Sequence, residues 1–539
     1  MIKNIELLDC TLRDGGYVND WEFGHDNLVI LFERLVSSEV DYIEIGFMDD
    51  RRENDENRSI APGSAAMSRL YEGLDKKKAF VVGMIDYGTC DISLIQPQAE
   101  TIMDGIRVIF KKQKMHEAID YMKQIKGLGY KVFCQAVSIT SYDDDELEEL
   151  INLVNDLDPY AFSLVDTYGL LHKEQLMHYY SFANTHLNED IRLGYHAHNN
   201  FQLAFANCVE LIESADDSRK ILIDGTLYGM GKSAGNAPIE LLANYMNSHL
   251  GKHYHVNQML EAIDVTIMDI YKRIPWGYNM KFFVSASNDC HPNYVTYLMD
   301  KKKLSMSSIN HILAKLEGEK KLLYDQDYIE SLYLQYQNRE CDDAVDFEAL
   351  KEQLTGKNIL LLAPGKRIHS EKDKVDSYIA DNTPIVISIN FIPEEYPVKY
   401  AFLSNSKRYV AQATKISKKD VKLIATSNVT KAEGHFDYVF SYSKLLDEEA
   451  LIADNPMIML IKLLRDMKVR SVALAGFDGY EKTALPNYIN ANMEHTFSKE
   501  LAQEINDDVR KGLIKLGLNI PVTYVTESLY EDKDKRNEQ

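Results

Sequence analysis

No apolar run in this chain of 539 residues approaches the roughly 20 residues needed to span a bilayer. The opening Met1-Ile2-Lys3-Asn4-Ile5-Glu6 also lacks the apolar segment of a secretory signal. A soluble cytoplasmic protein with no membrane partner is expected. Cysteine is scarce: Cys10, Cys90, Cys134, Cys208, Cys290 and Cys341 are scattered, without a CxxC pair or framework spacing. That excludes a disulfide scaffold and reads as reduced thiols. Positive charge is in deficit, with 60 Lys and Arg against 83 Asp and Glu and a formal net charge of -23. An extended phosphate-binding face, and hence a nucleic-acid partner, is excluded on that balance. A small anion is not, because a local Arg or a metal overrides the global field.

What the chain does have is rhythm. From residue 5 to about 230, eight short apolar runs alternate with amphipathic stretches: Ile5–Leu12, Tyr42–Phe47, Ala79–Ile85, Gly105–Phe110, Lys131–Val137, Ala161–Asp166, Arg192–His198 and Lys220–Asp224. Each of the first seven is read as followed by a helix, for example Asp26–Ser37 and Asp144–Leu157. Strands alternating with helices imply parallel βαβ units, and eight of them predict a closed (β/α)8 TIM barrel over residues 1–250. A doubly wound open sheet is the rival architecture. Residues 251–340 read as a helical extension, 341–357 as a charged linker, and 358–532 as a smaller, Rossmann-like α/β domain. Its strands are expected at Asn358–Ala363, Ile385–Ile389, Tyr400–Leu403, Leu423–Thr426 and Ser471–Ala475. Residues 533–539 have too little apolar content to order themselves and read as a solvated tail.

Chemistry concentrates where strands end. In Leu193-Gly194-Tyr195-His196-Ala197-His198-Asn199-Asn200 the two histidines stand at i and i+2, so on a strand they share a face and reach one point. Asp14, in Leu8-Asp9-Cys10-Thr11-Leu12-Arg13-Asp14-Gly15, is the candidate carboxylate to complete a divalent-cation site with nitrogen and oxygen ligands. Glu44 lies inside an apolar strand, where an unpaired carboxylate is costly, so it should face the barrel interior and pair with Arg13 or Arg107. The stretch Gly225 to Pro238 is not a P-loop: five residues separate Gly225 from Gly231, and Thr226 stands where a glycine would be needed. It reads as a flexible loop at the barrel mouth.

These three segments, the last as Gly229-Met230-Gly231-Lys232-Ser233-Ala234-Gly235-Asn236-Ala237-Pro238, resemble the metal-dependent barrel lyases and synthases. That family includes 3-hydroxy-3-methylglutaryl-CoA lyase, the isopropylmalate and homocitrate synthases and 4-hydroxy-2-oxovalerate aldolase, the last being the nearest likeness. The resemblance spans residues 3–245. It implies that Asp14, His196 and His198 bind the cation, with Asn236 a further oxygen ligand, and that Mn2+ or Mg2+ is preferred over Co2+ or Zn2+. Arg13 would hold the enolate oxygen of a 2-oxo acid such as pyruvate, and Thr167 would meet its carboxylate or else cap the next helix. The aldolases carry a catalytic histidine three residues after the metal-binding Asp, and here that position is Tyr17. His25, a little further along, could replace the missing base, or else stand as an exposed histidine at a helix start.

The expected activity is carbon–carbon bond cleavage or formation through a 2-oxo acid enolate, with an aldehyde as second substrate. Two alternatives stand beside it: a Claisen-type synthase joining an acyl-CoA to a 2-oxo acid, and a non-catalytic barrel serving a nucleotide- or sugar-binding C-terminal domain. A homo-oligomer or an aldehyde dehydrogenase partner would follow from the same resemblance. The C-terminal strands ending in Pro364-Gly365-Lys366 and Gly476-Phe477-Asp478-Gly479 look faintly like sialyltransferase-type nucleotide-sugar folds.

Overall fold

The computed structural model describes residues 4–216, 218–338, 341–416, 420–430, 434–447, 449–480, 499–517 and 520–531. The expected tail, 533–539, lies outside them. The chain divides into two compact units, Met1–Pro292 and Asn293–Gln539. No helix among the described residues is long and apolar enough to cross a membrane.

The first unit is a closed barrel of eight parallel strands: β1 (Ile5–Asp9), β2 (Tyr42–Met48), β3 (Phe80–Asp86), β4 (Gly105–Phe110), β5 (Lys131–Ala136), β6 (Ala161–Asp166), β7 (Arg192–Ala197) and β8 (Ile221–Gly225). Neighbours pair in sequence order, and β1 closes the ring by pairing with both β2 and β8. The ring excludes the open-sheet rival. Strands covered on both faces read as near-continuous apolar runs, and all seven residues of β2 are buried. A two-residue strand, Ile60–Ala61, pairs alongside β2.

Helices follow most strands, as at His25–Ser37 and Asp144–Leu157. The latter starts at a capping box in which Asp143 and Glu146 satisfy each other's backbone N–H groups. One expectation fails: between β3 and β4 there is no α-helix, only 3-10 turns at Ile92–Leu94 and Gln98–Glu100. Asp91 caps the first turn and Pro97 enters the second, so no uninterrupted helical run fits the connection.

The second unit holds a seven-stranded parallel sheet: β9 (Asn358–Leu362), β10 (Ile385–Ile389), β11 (Tyr400–Leu403), β12 (Lys422–Thr426), β13 (Tyr438–Phe440), β14 (Ser471–Ala475) and β15 (Val522–Tyr524). Its order is β13-β12-β11-β10-β9-β14-β15, so the connections wind outward from β9 in both directions. The five predicted strands are present. The two unpredicted ones are three-residue edges, too short to carry a pattern. Residues 341–357, expected as a linker, contain the helix Ala344–Leu354, and Leu350 and Leu354 are buried in this unit's core.

Candidate metal centre and active site

β1 stops at Asp9 because its carboxylate turns the chain, accepting from Thr11 N at 2.9 Å and Thr11 Oγ1 at 2.8 Å. Arg13 N and Asp14 N then both bond Cys10 O. That tight turn places Arg13 and Asp14 side by side over the barrel mouth, with Arg13 NH1 2.5 Å from Asp14 Oδ1. The turn thus makes an ion pair of two adjacent residues.

His196 and His198 project from the end of β7, and their ring nitrogens are already assigned by their partners. His196 Nδ1 is 2.8 Å from Asp224 Oδ2, and His198 Nδ1 is 2.9 Å from the carbonyl oxygen of Asp166. A carboxylate and a carbonyl only accept, so both Nδ1 atoms donate and both Nε2 atoms are unprotonated. The Nε2 atoms converge on Asp14: His198 Nε2 lies 3.4 Å from Asp14 Oδ2 and His196 Nε2 3.9 Å from Asp14 Oδ1. Asn236 Nδ2 donates to His196 Nε2 at 3.1 Å. His198 Nε2 and Asn236 Oδ1 are buried without any hydrogen-bond partner. All four residues are at most 5 % exposed. Burial would raise the Asp14 carboxyl, but Arg13, His198 and His196 hold it well below the usual range. Burial lowers the His196 imidazole, opposed by Asp224.

Behind the cluster runs a buried charge network. Glu44 Oε2 receives Arg13 Nε at 2.7 Å and Arg107 NH1 at 3.2 Å, so the glutamate pairs with both expected partners. Arg107 also donates to Gln135 Oε1 at 3.0 Å, to Cys10 Sγ at 3.3 Å and to Asp224 Oδ2. Cys10, His196 and Asp224 form a second group with metal-ligand spacing. Its lone pairs are spent, however: Asp224 Oδ2 is held by Arg107 and His196, and burial holds the Cys10 thiol well above its ordinary range. Of Asp14, His196 and His198, by contrast, Nε2 of His198 has no hydrogen-bond partner and Nε2 of His196 meets only the Asn236 amide.

The glycine-rich stretch after β8 is not the flexible loop expected. Met230, Asn236 and Ala237 are buried, Asn236 N bonds Gly229 O, and Ala234 N bonds Asn200 Oδ1. Gly231 is needed for close approach: a Cβ there would lie 1.7 Å from Asn236 Oδ1 and 2.7 Å from Asp14 Oδ2. The next residue, Lys232, donates its N–H to Asp14 Oδ2 at 3.2 Å. Its side chain was not singled out from sequence, because Gly-Lys-Ser drew attention only as a failed P-loop. Burial lowers its ammonium from the ordinary range, opposed by Asp14.

Tyr17 is the most exposed predicted residue at 38 %, its ring packed 4.8 Å from Trp21. Burial of its phenol raises it above its ordinary value, and Arg13 opposes this. It is a donor at neutral pH. Thr167 does not cap the following helix, which His172 does; Thr167 Oγ1 accepts from Ser138 N at 2.8 Å, tying two mouth loops together. His25 is an exposed first residue of its helix.

The family model described as HMGL-like matches residues 4–267. The chain is 23% identical over 283 residues to an oxaloacetate decarboxylase of Mycobacterium tuberculosis, covering 51% of this chain and 79% of that one. It is 26% identical over 280 residues to a 4-hydroxy-2-oxovalerate aldolase of Thermomicrobium roseum, covering 50% and 75%. To a homocitrate synthase of Sulfolobus acidocaldarius it is 26% identical over 261 residues, covering 46% and 53%. None of these matches supports a sialyltransferase-type likeness of the second unit.

Proposed function

Residues 4–267 form an HMGL-like domain, and from that premise we propose that this enzyme is a divalent-metal-dependent aldolase or lyase acting through the enolate of a 2-oxo acid such as pyruvate. The observation that carries the reading is the buried Nε2 of His198, without a hydrogen-bond partner beside the Asp14 carboxylate, together with the equally unpartnered Oδ1 of Asn236. Such groups are costly to bury without a partner, and a cation is the partner that imidazole and carboxylate share. Asp14, His196, His198 and Asn236 would hold it, and Mn2+ or Mg2+ suits the mixed donors. Once bound, the cation supplies Lewis-acid polarisation of the 2-oxo carbonyl. The Cys10 group is set aside because Arg107 and His196 already satisfy its carboxylate.

The chain's own residues divide the remaining work. Arg13 commits Nε to Glu44 and NH1 to Asp14, and no described residue accepts from its NH2. That N–H group is free for the enolate oxygen, on a guanidinium that keeps its charge at any working pH. In the addition direction the enolate carbon attacks the aldehyde carbon, the carbonyl electron pair moves to oxygen, and Tyr17 gives that oxygen its phenolic proton. In cleavage the protonated Tyr17 donates a hydrogen bond to the alcohol oxygen while the alcohol proton leaves to water; the carbon–carbon bond breaks, its electron pair passes to the enolate, and the enolate carbon takes a proton back from water. Thr167, whose Oγ1 accepts from Ser138 N, would meet the substrate carboxylate with its hydroxyl proton.

The test is pyruvate release from 4-hydroxy-2-oxo acids by purified protein with added Mn2+, alongside direct Mn2+ titration. His196→Ala should abolish both binding and turnover; unchanged cation affinity in that variant refutes the site. A second reading, decarboxylation of a 2-oxo dicarboxylic acid, is favoured by Tyr17, because that reaction removes no alcohol proton and needs no base there. Carbon dioxide release from oxaloacetate, with no activity on 4-hydroxy-2-oxo acids, would select it.

A further inference from the structure

Lys232 is a cation placed beside the cluster but not used by it. Its backbone is pinned to Asp14 through the 3.2 Å hydrogen bond, so the side chain starts from the rim of the metal centre. Its ammonium lies 5.5 Å from the ring centre of Tyr17 and 5.9 Å from that of Tyr168, between two aromatic faces. Among the described residues no carboxylate oxygen comes within 4.0 Å of it, although the residue is half-buried. A partly desolvated ammonium without an anion is costly unless a ligand brings one.

The side facing His291 is also positive. His291 packs against Tyr168 at 6.1 Å, and its protonated form is disfavoured by burial and then by Lys232, Lys281 and Lys111, which all lie close to it. Asp14 and, after it, Asp86 are the nearby acids that work against this field. In a chain of net charge -23, such a local surplus marks a place where an anion arrives. On the proposed reading Thr167, Arg13 and the bound cation would account for the carboxylate and enolate oxygen of the 2-oxo acid, which leaves Lys232 a separate anionic group further along the substrate.

We propose that Lys232 binds a second carboxylate, carried on the far side of the bond that is made or broken, so that the second substrate is an anionic aldehyde or oxo acid and not a neutral aldehyde. A carboxylate fits one ammonium between aromatic faces; a phosphate dianion calls for several converging donors. The inference rests on the 2-oxo acid reading of the barrel.

The test compares two cleavage substrates that differ only at the far end, 4-hydroxy-2-oxoglutarate and 4-hydroxy-2-oxovalerate, using the full chain loaded with Mn2+. Wild-type kcat/KM should favour the dicarboxylate by roughly 30-fold, the scale of one charge-assisted contact. Lys232→Met should collapse that ratio to near unity, chiefly through KM, and Lys232→Arg should restore most of it. A wild-type ratio near one, or a ratio that Lys232→Met leaves intact, overturns the proposal while the aldolase reading stands. If neither compound is cleaved, the aldolase reading fails, and the same two compounds become ligands in calorimetric titrations. Tighter binding of the dicarboxylate by about tenfold, lost in Lys232→Met, then sustains the carboxylate site; equal affinities overturn it. Thermal unfolding of each variant establishes that it is folded.

Discussion

Replacing Asp224 with Asn changes one atom in a site that Asp224 does not itself complete. In the native arrangement Asp224 Oδ2 accepts from both His196 Nδ1, at 2.8 Å, and Arg107 NH2. The carboxylate can only accept, so it forces the proton onto Nδ1 and leaves Nε2 unprotonated toward Asp14. An amide in its place can turn its NH2 toward Nδ1, which moves the proton to Nε2 and removes the lone pair a cation needs. Losing such an orienting partner typically weakens metal binding by about 10–100-fold, or ~1.4–2.7 kcal/mol. Stability should fall as well, because Arg107 loses one of its two buried carboxylates, though it keeps Glu44 at 3.2 Å and Gln135 at 3.0 Å. Breaking a buried pair outright costs about 3–5 kcal/mol, so the retained partners should keep the loss below that. The assay is Mn2+ titration calorimetry of wild type and Asp224→Asn, with thermal unfolding in EDTA to measure the metal-free difference separately. Wild-type Mn2+ affinity in a folded Asp224→Asn protein would refute the reasoning, because it would mean that His196 presents Nε2 without help.

Three further outcomes are expected. Gly231→Ala places a methyl group 1.7 Å from Asn236 Oδ1 and 2.7 Å from Asp14 Oδ2, so Mn2+ affinity should drop by roughly two orders of magnitude, with overpacking costing about 1–3 kcal/mol in unfolding experiments. Tyr17→Phe should lower kcat about 100-fold while leaving the Mn2+ affinity measured by calorimetry in place; undiminished kcat would remove Tyr17 from proton transfer. Asp9, pushed up to about 7 by burial against its Thr11 hydrogen bonds, keeps its proton in the folded state at pH values where the unfolded chain has released it. Its contribution to stability is therefore present at pH 4 and is lost as pH rises toward 7, by up to about 1.4 kcal/mol per pH unit. Urea unfolding across that range should show Asp9→Asn gaining on wild type as pH rises, and a constant difference would contradict the shift.

The barrel is legible in the sequence because each strand is buried on both faces and so writes a short apolar run. The runs Gly105–Phe110 and Ala161–Asp166 coincide with their strands, and Tyr42–Phe47 ends one residue early. Ile5–Leu12 overshoots because the turn that ends β1 at Asp9 is made by a side chain, and the buried residues beyond it, Cys10 and Leu12, look like more strand. The metal cluster is legible for a related reason: the period of a strand alone puts His196 and His198 on one face. What carries no such period is the network behind it. Arg107 sits in an apolar strand and could be suspected, but its partners Asp224, Gln135 and Cys10 come from three other strands or strand ends, and only the closed ring brings them together. Lys232 was hidden differently, since its importance lies in an anion partner it does not have, and a sequence does not display what is missing from a side chain's surroundings.

The closure of the ring by β1 against β8 has a consequence for the order in which the protein comes into being. Asp14 is synthesised before His196, His198 and Asn236, which follow only after some two hundred residues, and the backbone seam joining Ile5–Asp9 to Ile221–Gly225 cannot form until the second of these segments has been made. No partial barrel can present all four groups at once. A bound cation would therefore bridge the beginning and the end of the domain like a clasp, and chains that stall or are cut before residue 236 would be left without it.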